Sequence, residues 1–222
     1  MTGYASYVTL IILPGVYAPQ DDTDLLAEAL RREALPPRAS VLDVGTGTGA
    51  LAVAAAKRGA SVVAVDISRP AVWTARLNAL LARTPVRVIR GDLTAPVAGC
   101  TFDLVLANPP YVPSPNPPAR GAARAWDAGH DGRLVLDRIC GEVPRLLRPG
   151  GVLLVVHSVL SGEGSTLARL RSAGLKAEIT DRRQVALGPV LRSRRSWLCG
   201  RGLLSPGGQK EELVVIRAER TR

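Results

Sequence analysis

Asn108-Pro109-Pro110-Tyr111 is the densest concentration of chemistry-bearing groups in this sequence. An amide side chain accepts through its oxygen, and two consecutive prolines fix the direction of their carbonyls while adding no N–H. The Asn108 side-chain carbonyl and the Pro109 backbone carbonyl can together accept both N–H bonds of a planar amino group. That grip holds the nitrogen in line with an electrophilic carbon and favours its pyramidal, reactive form. It matters because an amide or aromatic amine nitrogen gives its lone pair to a π-system and is a poor nucleophile. The chemistry is positioning and electrostatics, without a strong base. Tyr111 adds a ring face on which a flat amide or base can stack. Asn and Pro are also turn formers, so a plain turn is the competing reading. The tetrapeptide stands directly after the apolar run Phe102–Ala107, a strand end, where ligand sites of α/β sheets gather.

A second group lies upstream. Gly45-Thr46-Gly47-Thr48-Gly49 follows the apolar run Val41-Leu42-Asp43-Val44, and its glycines let a ligand approach the backbone. The spacing is GxGxG where a dinucleotide fold has GxGxxG, and Asp43 places an anion where a pyrophosphate would be repelled and a cationic ligand welcomed. This favours a sulfonium amino acid over NAD. Asp66, 23 residues after Asp43, ends the next β-branched run, where a carboxylate can accept both ribose hydroxyls of a nucleoside. In Gly91-Asp92-Leu93 the acid is placed to meet the exocyclic amine of an adenine, with Leu93 over the ring. Three acids at three consecutive strand ends compose a nucleoside pocket, read here as one for S-adenosylmethionine.

These residues need elements to position them. Short apolar runs alternate with helix-like stretches, the pattern of a parallel sheet covered by helices. Strands are predicted at Val41–Val44, Ser61–Asp66, Val86–Arg90, Phe102–Ala107 and Val152–Val156, with Ala177–Thr180 and Leu213–Ile216 as a closing antiparallel pair. Helices are predicted over Leu51–Lys57, from Ser68 and Pro70 with Trp73, Leu77, Leu80 and Leu81 on one face, over Arg133–Arg148 despite Pro144, and over Gly162–Ala173. Pro149-Gly150-Gly151 is expected to end the third of these. The fold class is α/β, doubly wound. Pro109–Pro118, with six prolines, and Arg182–Arg201, with six arginines and no acid, read as loops; the second is a phosphate-facing arm or a solvated connection.

Composition sets the outer bounds. A chain of 222 residues that is 46% hydrophobic and 22% charged is ordinary globular material, of a length for one domain, with residues 1–39 as an N-terminal extension packing on the cofactor site. The run Val8–Leu13, broken by Thr9, is far short of a bilayer span, so no membrane partner is expected. Cys100, Cys140 and Cys199 are widely spaced without a CxxC pair, which suits a reducing cytoplasm and packing roles, with no zinc site. The net charge of +10 suits RNA or a ribosome-associated target, but with 26 Arg against 3 Lys it equally suits a GC-rich coding bias.

Taken together, these residues resemble the class I S-adenosylmethionine-dependent methyltransferases, and within them the HemK family of protein glutamine N5-methyltransferases. The resemblance extends over Val16–Thr23, Val41–Gly49, Asp66, Gly91–Leu93, Asn108–Pro113, Gly129–Arg133 and Glu211–Ile216. It implies a seven-stranded sheet whose last strand inserts antiparallel. It also implies cofactor contacts from Thr23, Asp43, Gly45, Asp66, Asp92 and Leu93, while Asn108 grips the substrate amide. With the loop and strand-end neighbours, the candidate cofactor-binding set is Thr23, Asp43, Gly45, Thr46, Gly47, Gly49, Asp66, Ile67, Asp92, Leu93 and Asn108. The candidate catalytic set is Asn108, Pro109, Pro110 and Tyr111. Bacterial members carry a helical substrate-binding domain ahead of the catalytic one, whereas about 40 residues precede the first strand here. In this the chain is similar to the shorter archaeal and eukaryotic branch, which methylates the Gln of a Gly-Gly-Gln motif in a release factor, often with a small zinc-binding partner. Gly207-Gly208-Gln209 in this chain is read as a coincidence.

Asn-Pro-Pro-Tyr is shared with enzymes that methylate the exocyclic amine of adenine or guanine, and these are the main alternative. The arginine segment favours them; the absence of a recognisable nucleic-acid module opposes them. A cofactor-binding subunit without transfer activity would not need an intact Asn108–Tyr111. His130 and His157 are assigned no role as bases, because transfer from a sulfonium to an amide needs none.

Overall fold

The computed structural model describes residues 10–116 and 121–221. Seven strands, Ser40–Val44 (β1), Ser61–Asp66 (β2), Val86–Arg90 (β3), Phe102–Ala107 (β4), Leu147–Ser158 (β5), Leu175–Ala186 (β6) and Lys210–Arg220 (β7), form one sheet. Their order is β3-β2-β1-β4-β5-β7-β6. Neighbours from β3 to β5 pair in parallel, and β7 inserts antiparallel to both β5 and β6. This is the doubly wound α/β sheet with an antiparallel last strand that the sequence leads one to expect. The central strands β1, β4 and β5 are near-continuous apolar runs because helices cover both faces, and Leu42, Leu104, Leu106, Leu153 and Leu154 are buried there.

Strand order reverses between β1 and β4, so the chain leaving their carboxyl ends diverges and opens a crevice. The glycine loop leaves β1 at that point and Asn108 leaves β4 beside it. Helices Asp21–Arg32 (α1), Ala50–Lys57 (α2), Arg69–Leu81 (α3), Leu136–Glu142 (α4) and Glu163–Ser172 (α5) flank the sheet, and Pro189–Ser193 (α6) and Arg195–Gly200 (α7) fill the β6–β7 connection. Ser68 caps α3 by accepting from the Ala71 N–H, with Pro70 in the first turn, as its sequence signals.

Several expectations change. The face of α3 turned to the protein is the small one, with Ala71, Val72, Thr74, Ala75, Asn78 and Ala79, while Trp73 and Leu80 stay 64% and 73% exposed. Close packing is the reason: a Cβ on Gly49 would lie 3.1 Å from Ala75, so no large side chain fits beneath this helix. The helix expected over residues 133–148 is confined to α4, and Val143–Leu146 tightens into a 3-10 turn. Pro144 removes an N–H and its ring blocks the carbonyl four residues earlier. Pro149-Gly150-Gly151 therefore terminates no helix; it is an irregular stretch of the longer β5, with a register shift opposite Phe102 and Leu104. Arg182 and Arg183 belong to β6, and most of the remaining arginine segment is helical in α6 and α7. Cys140 is buried as packing, whereas Cys100 is exposed. Val8 and Thr9 of the early apolar run, and Pro117 and Pro118 of the proline-rich loop, lie outside the described residues.

Candidate active site

Two cavities meet at the carboxyl edge of the sheet. The larger, about 720 Å³, is lined by Gly45, Thr46 and Gly47 after β1, Asp66 and Ile67 after β2, Asp92 and Leu93 after β3, Thr23 of α1, and Asn108. Gly45 and Gly47 hold φ of +73° and +56°, and among the described residues no atom beyond their immediate chain neighbours lies within 4 Å of where their Cβ atoms would be. Each gives the loop a left-handed turn and leaves a space that a ligand's atoms can fill. Asp66 Oδ2 accepts from the Gly47 N–H at 2.9 Å and Oδ1 from the Ser68 N–H at 2.8 Å, so the loop and the start of α3 fix this carboxyl. Burial raises its pKa above the usual carboxylate value.

Two candidate residues stand behind the cleft. Asp43 is buried, its Oδ2 accepting from Thr46 Oγ1 at 2.6 Å and from the Ala52 N–H at 3.2 Å, and its Oδ1 has no partner among the described residues. Burial pushes its pKa up to about 7. The loop is thus anchored to a carboxyl it covers. Gly49, at φ +82°, closes the loop against α3. Asp92 lines the cleft but is gripped by Arg138, with both guanidinium nitrogens at 3.0 Å from its two oxygens. Nothing about Arg138 in the sequence marks it as a neighbour of Asp92.

The segment before α1 crosses the same cleft, with Gly15, Val16, Tyr17 and Pro19 in its wall. Its tether is Asn78. Buried in α3, this side chain accepts from the Ile11 N–H and donates to the Ile11 and Thr48 carbonyls, all at 2.9 Å.

The smaller cavity, about 300 Å³, is walled by Asn108, Pro109, Pro110 and Tyr111 together with Tyr17, Asp22, Trp126, Val185, Leu191 and Glu211. Asn108 and Pro110 line both cavities. Asp22 accepts from the Tyr17 and Tyr111 hydroxyls at 3.0 and 3.1 Å, and from the Thr23 N–H and hydroxyl at 2.6 and 3.2 Å. Burial, with Asp22 alongside, holds both phenols above the usual tyrosine pKa, so they remain donors. Asn108 Nδ2 donates to Thr23 Oγ1 at 3.2 Å. The Asn108 amide is thereby oriented: its nitrogen is engaged by α1, and its oxygen is left to accept.

The loop holding Asn108–Tyr111 is braced from below. Ser161 Oγ donates to the Tyr111 carbonyl at 2.6 Å, and the Val112 and Trp126–Ala128 backbones bond to each other. A Cβ on Gly132 would fall 2.3 Å from the Tyr111 carbonyl oxygen, so only glycine allows that approach. Arg133 then ties this turn to the Ser161 and Gly162 carbonyls and to Asp137. His157 is buried with Nδ1 at 2.8 Å from the Ser158 carbonyl oxygen, and burial lowers its pKa to about 4. It is a neutral structural residue; His130 is exposed beside Trp197. Sequence reading assigns no role to Tyr17, Asp22 or Glu211, although all three lie in the stretches that carry the family resemblance.

A parallel sheet with an antiparallel last strand, a glycine loop over one cleft and an Asn-Pro-Pro-Tyr turn joining it to a second cavity define a class I methyltransferase. The chain belongs to the methyltransferase small domain family, whose model matches residues 7–174. It is 38% identical over 181 residues to a putative protein N5-glutamine methyltransferase of Methanocaldococcus jannaschii, covering 80% of this chain and 90% of that protein. It is 32% identical over 205 residues to the release factor glutamine methyltransferase of Mycobacterium tuberculosis, and spans 66% of that protein's length. Among solved structures it superposes with a TM-score of 0.68 at 26% identity on the E. cuniculi Mtq2–Trm112 complex, covering 93% of this chain and 99% of that one. That complex is described as responsible for methylation of the eRF1 translation termination factor.

Proposed function

We propose that this protein transfers a methyl group from S-adenosylmethionine to the side-chain amide nitrogen of a glutamine in a protein, a translation release factor. The observation that carries the reading is the orientation of Asn108. With Nδ2 bonded to Thr23, Oδ1 is left to accept where the two cavities meet. An amide NH₂ in the smaller cavity then donates one hydrogen to Asn108 Oδ1 and the other to the Pro109 carbonyl. Its nitrogen lone pair points toward the larger cleft. Bound there, S-adenosylmethionine supplies a methyl carbon already activated by its sulfonium, and the residues fit it: Asp66 for the ribose, the open glycine loop for close backbone approach, Ile67 and Leu93 against the ring. As the new N–C bond forms, the C–S bond breaks with its electron pair going to sulfur. The nitrogen then releases one proton, which is acidic enough to leave to water without a dedicated base.

The names of the relatives support a release-factor acceptor, and the solved complex supports a small activating subunit. The exposed Trp73, Leu80 and Leu81 of α3, beside the edge strand β3, give such a subunit an apolar surface. In the segment 182–201, read as either a phosphate-facing arm or a solvated connection, Arg182, Arg183 and Arg194 are engaged by Glu163, Glu212, Glu28 and Asp127 of the protein itself, which weighs against nucleic acid as the acceptor. Among the described residues no helix is long and apolar enough to cross a membrane, and the free thiols suit a cytoplasmic setting. The test is to incubate the protein with methyl-labelled S-adenosylmethionine, a release factor and a cell extract lacking this enzyme, which supplies nucleic acids as competing acceptors. Label on the Gly-Gly-Gln glutamine, removed by protease and absent with Asn108→Ala, is expected. Label removed by nuclease would overturn the reading.

A further inference from the structure

Three carboxyls line the acceptor cavity, Asp21, Asp22 and Glu211; Asp22 holds the two phenols, Asp21 is exposed, and Glu211 is buried with no part in methyl transfer. It sits near the start of β7, one of the longest strands of the sheet, and is only 9% exposed. One oxygen has the Ser158 hydroxyl of β5 as its hydrogen-bonding neighbour; the other, Oε2, is buried without a partner among the described residues. Among the described residues, the ionisable groups that bear on it are acidic or phenolic: Asp21 and Asp22 of α1, Tyr17 before that helix, and Tyr111 after β4. Val185 of β6 is its cross-strand partner, and Ala186 of the same strand and Leu191 of α6 also line the cavity. Burial, with Asp22 and Asp21 adding to it, pushes this carboxyl up to about 7.

The geometry points to Glu211 as the specificity-determining residue of the acceptor cavity: as a neutral acid it donates a hydrogen bond to the acceptor's amide carbonyl and so selects glutamine over glutamate. The inference rests on the glutamine reading above and deepens it. A primary amide carries two donors and one acceptor. Asn108 Oδ1 and the Pro109 carbonyl accept from the donors, and the remaining carbonyl oxygen needs a hydrogen. Of the groups lining the cavity, both phenols already donate to Asp22, and Asn108 Nδ2 gives one of its two hydrogens to Thr23. Protonated Glu211, a buried acid in the cavity wall, supplies one. A glutamate side chain of the same shape would bring an anion to two carbonyl acceptors and the Asp22 carboxylate. Discrimination of this kind is strong because a buried polar group is left unpaired by the wrong ligand.

The test measures binding of paired peptides, identical but for Gln or Glu at the acceptor position, to protein saturated with S-adenosylhomocysteine, and methylation kinetics of the Gln peptide. The wild type should bind the Gln peptide and reject the Glu peptide. Its affinity for Gln should fall as pH rises from about 6 to about 9, because the donating acid is lost as pH passes its pKa. E211Q keeps an N–H donor and should bind within about three-fold of wild type, with no such pH dependence. E211A should raise KM for the peptide by about 10-fold or more, with a much smaller change in kcat. Wild-type affinity in E211A, or an unaltered pH profile in E211Q, would overturn the role of Glu211 while leaving glutamine methylation standing. A wild type that binds neither peptide and methylates neither would overturn the glutamine reading and this inference with it. Should E211A fail to fold, the contrast in pH profile between wild type and E211Q decides alone.

Discussion

Replacing Thr23 with valine isolates what orients the catalytic amide. Thr23 Oγ1 stands 3.2 Å from Asp22 Oδ1, to which it donates, and 3.2 Å from Asn108 Nδ2, from which it accepts. Its single hydrogen is taken by the carboxylate, so a flipped Asn108 would set an oxygen against an oxygen. The observed orientation is favoured by one hydrogen bond gained and one lone-pair conflict avoided, together about 1–2 kcal/mol, or roughly 5–30-fold in population. Valine keeps the shape and removes the hydroxyl. Asn108 is then free to turn its NH₂ toward the acceptor, where it meets another NH₂. Single-turnover transfer to a glutamine peptide should slow by about 5–30-fold, while Kd for S-adenosylmethionine, measured by calorimetry, changes by less than about three-fold. Thr23→Ser keeps the oxygen and should behave as wild type. A Thr23→Val enzyme with unchanged transfer rate, or one impaired in cofactor affinity alone, would refute the orienting role and return Thr23 to the cofactor-contact role that the family resemblance implies.

Asn108→Ala should abolish transfer and leave S-adenosylmethionine binding within a few-fold of wild type, since the glycine loop and Asp66 are untouched; titration calorimetry beside an activity assay checks both. Asp66→Ala removes the carboxylate set for the ribose along with anchors for the Gly47 and Ser68 N–H groups, and should weaken cofactor affinity by about 10–100-fold. His157, buried and neutral, has its pKa lowered to about 4 from 6.5, so the fold resists its protonation. Its contribution is fully present above pH 6.5 and is lost as pH falls toward about 4, a difference of about 3 kcal/mol over that window. Urea unfolding of wild type and His157→Gln at neutral and acidic pH should show a shallower acid dependence in the variant. An identical dependence would mean that His157 is not the group responsible.

Much of this site is legible in the chain because its parts are local. A strand, a glycine loop and a helix follow one another over Val41–Lys57, and Asn108–Tyr111 is contiguous, so residue type and spacing state the chemistry directly. The acceptor cavity is different in kind. Tyr17 and Asp22 come from before the first strand and Glu211 from the seventh, and they meet because β7 inserts beside β5. No periodicity carries that information, although an acid buried at the start of the apolar run Leu213–Ile216 is a signal a local reading could weigh more heavily. The apolar stripe of α3 shows the converse failure. Its period is real, but helical spacing does not say which face meets the sheet, and the small residues between the large ones decided it. Pro144 ended a helix that hydrophobic spacing alone extends to Arg148.

The insertion of β7 also orders events in time. β5 and β6 are not neighbours; each pairs with β7 along its length, so until Lys210–Arg220 has been synthesised β5 has one unpaired edge and β6 has no partner in the sheet. A chain still emerging from the ribosome can complete β1 to β4 and the glycine loop, but it lacks the strand that carries Glu211 into the acceptor cavity. Binding of the methyl donor can therefore precede the existence of the acceptor site during biosynthesis. Until β7 zips the two edges together, the nascent protein presents open strands of the kind that chaperones shield and that aggregation exploits.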